Sequence, residues 1–172
     1  MHAKVCTCIK LAYLPSPGIV KLRLSVIGLD KLILERKLKE TIDELKALIP
    51  DQIYGYGNAP MEGVVGKLLK ERNLTIATAE SCTGGNLSVS ITKIPGASKA
   101  FNGSIVSYSR YSKENIIGIE KNEIDIFSTV SQEIAIKMAE KVKEKFNSDY
   151  SIAVTGNAGP STDGPESIVG DY

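Results

Sequence analysis

The sequence predicts an α/β fold, with a mostly parallel sheet sandwiched by helices and preceded by a small α+β domain. From residue 60 onward, strand-like apolar runs alternate with longer helical patterns, the order typical of a parallel sheet. The segment Gly57–Pro60 combines a glycine, an asparagine and a proline, which indicates a break between domains. Hydrophobic residues make up 42% and charged residues 24% of the 172 residues, the usage of ordinary folded proteins. We therefore divide the chain into residues 1–58 and 59–172.

The first domain is predicted to contain strands and one long helix. Leu14–Gly18 has two prolines and a glycine and is predicted as a turn, and Ile19–Ile27 alternates apolar and polar residues as a half-buried strand does. Asp30 is placed to cap a helix that Pro50 ends. Its apolar residues recur at steps of three and four, at Leu34, Leu38, Ile42, Leu45 and Ile49. Ile53–Tyr56 is a candidate for a short strand.

The second domain is predicted as alternating helices and strands. In chain order these are a helix over 61–73, a strand over 74–79, a helix opened by Gly84 and Gly85, a strand over 104–109, a helix capped by Ser131 and a strand over 150–154. The first helix is predicted to bury Val64, Val65, Leu68 and Leu69 on one face. A further strand is expected to begin at 168–170, so we expect this domain to be incomplete at its C-terminal end.

Charge and hydropathy exclude several classes of protein. Lys plus Arg number 21 and Asp plus Glu 20, a net charge of +1, so no basic surface for nucleic acid or an anionic membrane is indicated. The sequence lacks an apolar stretch near the roughly 18 residues that a membrane helix needs, and its first residues do not resemble a secretory signal. Three cysteines, an odd number, do not suit a disulfide framework. We predict a cytoplasmic protein that binds neither nucleic acid nor membrane.

A single histidine limits the chemistry. His2 stands at the extreme N-terminus, where order is least expected, so a catalytic relay through histidine within this chain is excluded in practice. The base would be Lys, Tyr, Asp, Glu or a cysteine thiolate. Cys6 and Cys8 lack the spacing of a metal site, and we predict neither a metal nor a cofactor.

The loop Ala79–Gly85 is the first candidate site. It joins a strand to a helix at the carboxyl end of the strand, where α/β proteins bind ligands, and its glycines allow close approach of a ligand. Backbone N–H groups near Cys82 to Gly84, at the start of the helix, would suit a phosphate or an oxyanion. Ser81 and Cys82 are the available nucleophiles, although Cys82 has no histidine to activate it. The alternative is a tight structural turn.

Two further loops carry candidate residues. Lys113, following Tyr108 and Arg110, would serve as a base if it were desolvated or near another cation, and with Ser81 it would form a Ser–Lys dyad. The alternative is a solvated surface lysine. Thr155–Pro160 follows the last predicted strand, and its glycines would line the same crevice or form an ordinary turn.

The order and spacing of four segments resemble the CinA family (competence/damage-inducible protein CinA). These segments are Thr78–Gly85, Tyr108 with Lys113 five positions on, Thr129–Ala135 and Val154–Pro160. The C-terminal domain of that family is a nicotinamide mononucleotide amidohydrolase, and residues 10–58 are similar to its connecting domain. The resemblance implies hydrolysis of the carboxamide of nicotinamide mononucleotide to nicotinate mononucleotide and ammonia, without metal or cofactor.

The resemblance also implies roles for individual residues. Ser81 would be the nucleophile, Lys113 the general base and Tyr108 a proton relay. The substrate site would comprise Glu80, Cys82, Thr83, Gly84, Gly85, Arg110, Thr155, Gly156, Asn157 and Gly159. From the residues themselves, we expect the substrate phosphate at a helix N-terminus or on Arg110. We expect a homo-oligomer, in which a neighbouring subunit covers an open edge of the sheet.

Three residues depart from the family pattern. The family commonly has Asn and Glu at the positions of Arg110 and Tyr111, and an aliphatic residue at that of Asn157. The alternative function is a nucleotide-binding or interaction module without chemistry. The distance between Ser81 and Lys113 separates the two, because a dyad requires them near hydrogen-bond reach.

Overall fold

The computed structural model describes residues 9–159. These residues form two units that divide between Tyr54 and Gly55, and each unit is described by itself. The expected strand at 168–170, together with His2, Cys6 and Cys8, lies outside the described residues.

The first unit contains a β-hairpin and a long helix. Strands β1 (Lys10–Ser16) and β2 (Ile19–Ser25) pair antiparallel. Helix α1 spans Lys31–Leu48, and the Asp30 carboxylate accepts hydrogen bonds from the backbone N–H groups at its start. The predicted cap and helix are therefore confirmed.

Two predictions for the first unit are wrong. The predicted turn Leu14–Gly18 is mostly strand, because β1 continues to Ser16 and Pro15 pairs with Val20. A proline is tolerated here since both strands of a two-stranded ribbon have an outer edge, where no N–H is needed. The second error is Ile53–Tyr56, which forms no strand. Gly55 interrupts this short apolar run, and no described strand pairs with it.

Within residues 55–159, the second unit forms a three-stranded parallel sheet with helices on both faces. Its elements, in chain order, are α2 (Met61–Glu71), β3 (Ile76–Glu80), α3 (Asn86–Thr92), a 3₁₀ turn (Ala97–Lys99), β4 (Phe101–Val106), α4 (Arg110–Ser112), a π-helical turn (Lys113–Ile117), α5 (Lys121–Phe127), α6 (Gln132–Phe146) and β5 (Tyr150–Val154). The strand order is β4-β3-β5, and both pairings are parallel. The predicted α/β fold is confirmed, although the short elements between Arg110 and Phe127 were not predicted.

The central strand β3 has two different faces, and all five of its residues are buried. Ala77 and Ala79 belong to the main core, where small side chains leave room for the larger residues of the helices. That core also contains Ile117, Ile119, Ile124, Ile134, Met138 and Val142. On the other face, Thr78 and Glu80 bond to α3. The alternation of a strand therefore separates an apolar layer from a polar one.

The helices on either side of the sheet test two further predictions. Helix α6 begins as predicted, because Ser131 Oγ accepts a hydrogen bond from Ile134 N, and α6 packs against β3 and β5. Helix α2 buries less than predicted. Leu69 is buried, whereas Val65 and Leu68 are 40% and 42% exposed. None of the helices described here combines the length and apolar character needed to span a membrane.

Gly103 in β4 lies against the ring of Phe146 from α6. Its φ is +149°, and a Cβ atom would stand 2.8 Å from Phe146 Cζ and closer still to Cε1. Such distances are shorter than real Cβ contacts, so the ring and helix would have to move.

We expect Gly103→Ala to lower the free energy of unfolding by about 1–3 kcal/mol, the usual cost of overpacking. Urea unfolding followed by circular dichroism measures it. The matched control is Gly66→Ala in α2, where an added Cβ meets no atom within 4 Å. The control should stabilise the helix by about 0.5–1 kcal/mol. An unchanged midpoint for Gly103→Ala would contradict this account of the β4–α6 contact.

Candidate active site

A serine and a lysine meet in the buried part of the second unit. Lys113 Nζ donates hydrogen bonds to Ser81 Oγ at 2.9 Å and to the Ser107 carbonyl oxygen at 3.3 Å. Ser81 is 5% exposed and Lys113 2%. The alternative of a solvated surface lysine is therefore wrong, and the structure brings the two predicted dyad residues into contact.

The ends of the parallel strands position this pair. Ser81 directly follows β3, and its N–H donates to the Val154 carbonyl oxygen of β5 at 2.9 Å. On the other side, Ser107 directly follows β4, and its N–H donates to the Glu80 carbonyl oxygen at 2.7 Å. The three strands therefore end at one edge, which is the usual ligand-binding edge of a parallel sheet.

A short helical segment brings Lys113 back to that edge. The Ser109 side chain caps α4 by accepting from Ser112 N at 3.2 Å. Lys113 then begins the π-helical turn, in which its carbonyl oxygen accepts from Gly118 N and Ile119 N. Turns of this kind are rare and frequently occur at functional sites. The sequence pattern gave no signal for it.

Burial suits Lys113 to act as a base. Removing an ammonium group from water disfavours its charged form, and a neutral amine can accept the proton of a neighbouring serine hydroxyl. The contact with Ser81 Oγ is already within the range required for such a transfer. The arrangement can therefore convert the serine into a nucleophile without histidine.

The loop after Ser81 contains two backbone N–H groups that are candidates for binding an oxyanion. No hydrogen bond is found for the N–H groups of Cys82 and Thr83 within residues 9–159. The N–H of Gly84 is not available, because it donates to the Ser81 carbonyl oxygen at 3.0 Å. The expectation that the Gly84 N–H would bind the oxyanion is therefore wrong. Its φ of +58° and the +101° of Gly85 are values that glycine adopts without strain.

Glu80 occupies the start of α3. Its carboxylate accepts from the N–H groups of Leu87 at 2.9 Å and Ser88 at 2.8 Å, and from the hydroxyls of Thr83 and Ser88. Burial raises the pKa of Glu80, but these hydrogen bonds together outweigh it and hold the pKa below 4.5. Because the carboxylate already uses these two N–H groups, they are not free to bind a phosphate at the start of α3.

Arg110 is already paired with two carboxylates. Its Nε lies 2.6 Å from Glu114 Oε1, and its Nη2 contacts Asp125. The hydrogen bonds to Asp125 and Glu114 raise the pKa of the guanidinium. Its charge is therefore largely balanced within the protein, which weakens the expectation that it binds a phosphate.

The remaining predicted residues fall into exposed and buried groups. Tyr108 is 73% exposed, which gives no support to a proton relay in the buried dyad, and Gly159 is exposed. Cys82 and Gly156 are half-buried. Thr155 is buried, and its hydroxyl donates to the Thr129 carbonyl oxygen at 3.0 Å.

Asn157 is buried as well.

One residue of the site was not predicted. Ser107 supplies the carbonyl oxygen that orients Lys113. No sequence signal marked it, because the predicted strand over 104–109 placed Ser107 inside the strand, whereas β4 ends at Val106. No set of three or more His, Cys, Asp or Glu side chains that could hold a metal occurs within residues 9–159.

We expect Glu80→Gln to destabilise the protein at neutral pH, because the amide nitrogen cannot accept the hydrogen bonds that the carboxylate accepts. The native pKa of Glu80 is lowered, so its contribution is present above the unfolded-state pKa of about 4.3 and is lost as pH falls through the lower native pKa.

Urea unfolding at several values between pH 7 and pH 3 tests this expectation. The stability difference between wild type and Glu80→Gln should narrow below about pH 4.5. Glu71→Gln, at an exposed surface pair, is the control and should change stability little. A difference that stays constant with pH would show that the charge of Glu80 does not act in this way.

Comparison with known proteins identifies relatives of the chain. A CinA-like protein of Flavobacterium psychrophilum is 47% identical over 163 residues, which cover 94% of this chain and 39% of the relative. A CinA-like protein of Prochlorococcus marinus is 42% identical over 153 residues, covering 89% of this chain and 35% of the relative. The chain thus spans less than half the length of these relatives.

Solved structures give the same result. The competence/damage inducible protein CihA from Agrobacterium tumefaciens is 30% identical, with a TM-score of 0.61 over 63% of this chain and 66% of that one. A competence-damaged protein (CinA) superfamily protein from Escherichia coli is 26% identical, with a TM-score of 0.62 over 69% of this chain and 70% of that one. A family model described as the CinA C-terminal domain matches residues 58–171. With its sheet, its loops and these matches in agreement, the chain belongs to the CinA family.

Proposed function

We propose that this chain hydrolyses the carboxamide of nicotinamide mononucleotide to nicotinate mononucleotide and ammonia. The observation that carries the proposal is the buried contact of 2.9 Å between Lys113 Nζ and Ser81 Oγ. Acyl transfer requires an activated nucleophile and an oxyanion site, and the chain has residues suited to both. Membership of the CinA family supports the same reaction class.

The first half-reaction forms an ester. Neutral Lys113 accepts the hydroxyl proton while Ser81 Oγ attacks the amide carbon, and the carbonyl oxygen becomes an oxyanion. The N–H groups of Cys82 and Thr83 would stabilise it, an effect worth about 3–4 kcal/mol per donor in a studied hydrolase. The Lys113 ammonium then returns its proton to the leaving nitrogen, the C–N bond breaks, and ammonia leaves.

The second half-reaction uses water. Lys113, neutral again, accepts a proton from water, which attacks the ester carbon and forms a second oxyanion at the same donors. The Ser81 oxygen leaves and regains its proton from Lys113. One amide and one water become one carboxylic acid and one ammonia, so the cycle balances without a cofactor.

Two aromatic residues that precede Lys113 in the sequence suit the substrate ring. Tyr108 and Tyr111 are 73% and 70% exposed and stand on the segment that leads to Lys113. The pyridinium ring of nicotinamide mononucleotide is cationic, and a cation is attracted to the face of an aromatic ring. We therefore propose ring contact for Tyr108, while its role as proton relay stays a prediction.

Two further expectations, a homo-oligomer and a cytoplasmic location, stay predictions from the sequence. The non-catalytic module is the alternative, but a module that only holds a nucleotide has no need of a lysine buried against Ser81.

Ser81→Ala and Lys113→Met test the proposal. We expect each to lower the rate of ammonia release from nicotinamide mononucleotide by at least about 10³-fold, the scale seen when one member of a catalytic unit is removed. Nicotinate mononucleotide is measured in the same samples by chromatography. Ser98→Ala and Lys121→Met, at exposed positions, are the matched controls and should keep the wild-type rate.

Binding of the nucleotide is measured alongside, by calorimetry. A folded wild-type chain that binds nicotinamide mononucleotide without releasing ammonia would refute the proposal and favour the binding module. Activity that survives in Ser81→Ala would refute the mechanism.

A further inference from the structure

The amide of Asn157 is a buried donor without an acceptor. The residue is 7% exposed, and its Nδ2 finds no hydrogen-bond partner in the described part of the chain, the only buried side-chain nitrogen or oxygen there of which this is true. A donor withdrawn from water and left unpaired destabilises the protein that carries it. Such a group in a folded protein needs an explanation, and a ligand is one.

The neighbouring Thr155 shows that this loop can satisfy its polar groups. Thr155 is also buried, but its hydroxyl donates to the Thr129 carbonyl oxygen at 3.0 Å. Two residues further along, the amide of Asn157 has no such acceptor. The neighbouring buried residue therefore does not share the unpaired donor of Asn157.

The position of Asn157 relates it to the dyad. Strands β3 and β5 are parallel neighbours with Glu80 opposite Val154, and Ser81 N donates to the Val154 carbonyl oxygen. The loop that carries Asn157 and the loop that carries Ser81 therefore leave the sheet side by side, at the edge where parallel sheets bind ligands.

We propose that Asn157 is a specificity-determining residue whose amide N–H donates a hydrogen bond to an acceptor oxygen of the bound nucleotide. The inference rests on the proposed function for the identity of the bound nucleotide. The acceptor is not the reacting carbonyl, because the N–H groups of Cys82 and Thr83 directly follow the nucleophile and are open for that role. A contact made equally in the ground state and the transition state affects KM and leaves kcat nearly unchanged.

Asn157→Leu tests the inference, since leucine has a similar shape and no donor. We expect KM for nicotinamide mononucleotide to rise roughly threefold to tenfold, the net worth of one hydrogen bond, while kcat changes less than about twofold. In the absence of ligand, the Tm of Asn157→Leu should equal or exceed that of wild type, because the variant removes an unpaired buried donor. A merely structural role predicts the opposite change in Tm.

Thr155→Val is the matched control for stability. It deletes a hydroxyl that is bonded, so it should lower the Tm in the absence of ligand. If Asn157→Leu lowers the Tm as Thr155→Val does, the amide has a partner within the protein and the inference is overturned. An unchanged KM, or a fall in kcat alone, overturns it too.

The same measurements separate this inference from the proposed function. Hydrolysis by wild type with an unchanged KM in Asn157→Leu rejects the inference alone. If wild type binds nicotinamide mononucleotide without hydrolysing it, and Asn157→Leu binds it more weakly by calorimetry, the proposed function falls and the inference stands. A wild-type chain that neither binds nor hydrolyses it rejects both.

Discussion

The hydrogen bonds of the Glu80 carboxylate hold the site together, because they fix the loop between β3 and α3. This buried carboxylate accepts hydrogen bonds from the first free N–H groups of α3 and from the hydroxyl of Thr83. In this turn, the N–H groups of Cys82 and Thr83 make no backbone hydrogen bond to any residue between 9 and 159. A carboxylate that would be costly alone in the interior is tolerated here since every contact is made to its charged form.

The side chains of β3 point alternately to the two faces of the sheet, and this alternation organises the rest of the second unit. Glu80 and Thr78 face the polar layer under α3, while Ala77 and Ala79 face the apolar core under α6. Ser81 comes directly after the strand and meets Lys113 from the segment after β4. One five-residue strand thus determines where the core, the helix cap and the nucleophile lie. Because β3 is covered on both faces, its side chains cannot change in size or polarity without disturbing a packed neighbour.

The features that the sequence predicted well are local. Asp30 and Ser131 cap their helices as expected, and β5 has the predicted bounds, because caps and apolar periods act within a few residues of the chain. Pro15 was misjudged, since the cost of a proline in a strand depends on whether that strand is an edge. The helical segment from Arg110 to Phe127 was missed because its short elements derive their stability from packing against the core.

The sequence by itself determined the chemistry available to this protein. With one histidine in the chain, the nucleophile was expected to be serine or cysteine and the base lysine, tyrosine, an acidic residue or a cysteine thiolate. Three loops, two of them containing glycine, marked the edge of the sheet. The tertiary structure alone decided which of these residues meet. It buried Lys113 against Ser81, balanced Arg110 with Glu114 and Asp125, and left the Asn157 amide unpaired. Hydrogen bonding and desolvation depend on residues that are distant in sequence. Local sequence patterns carry no information about which of those residues will be neighbours.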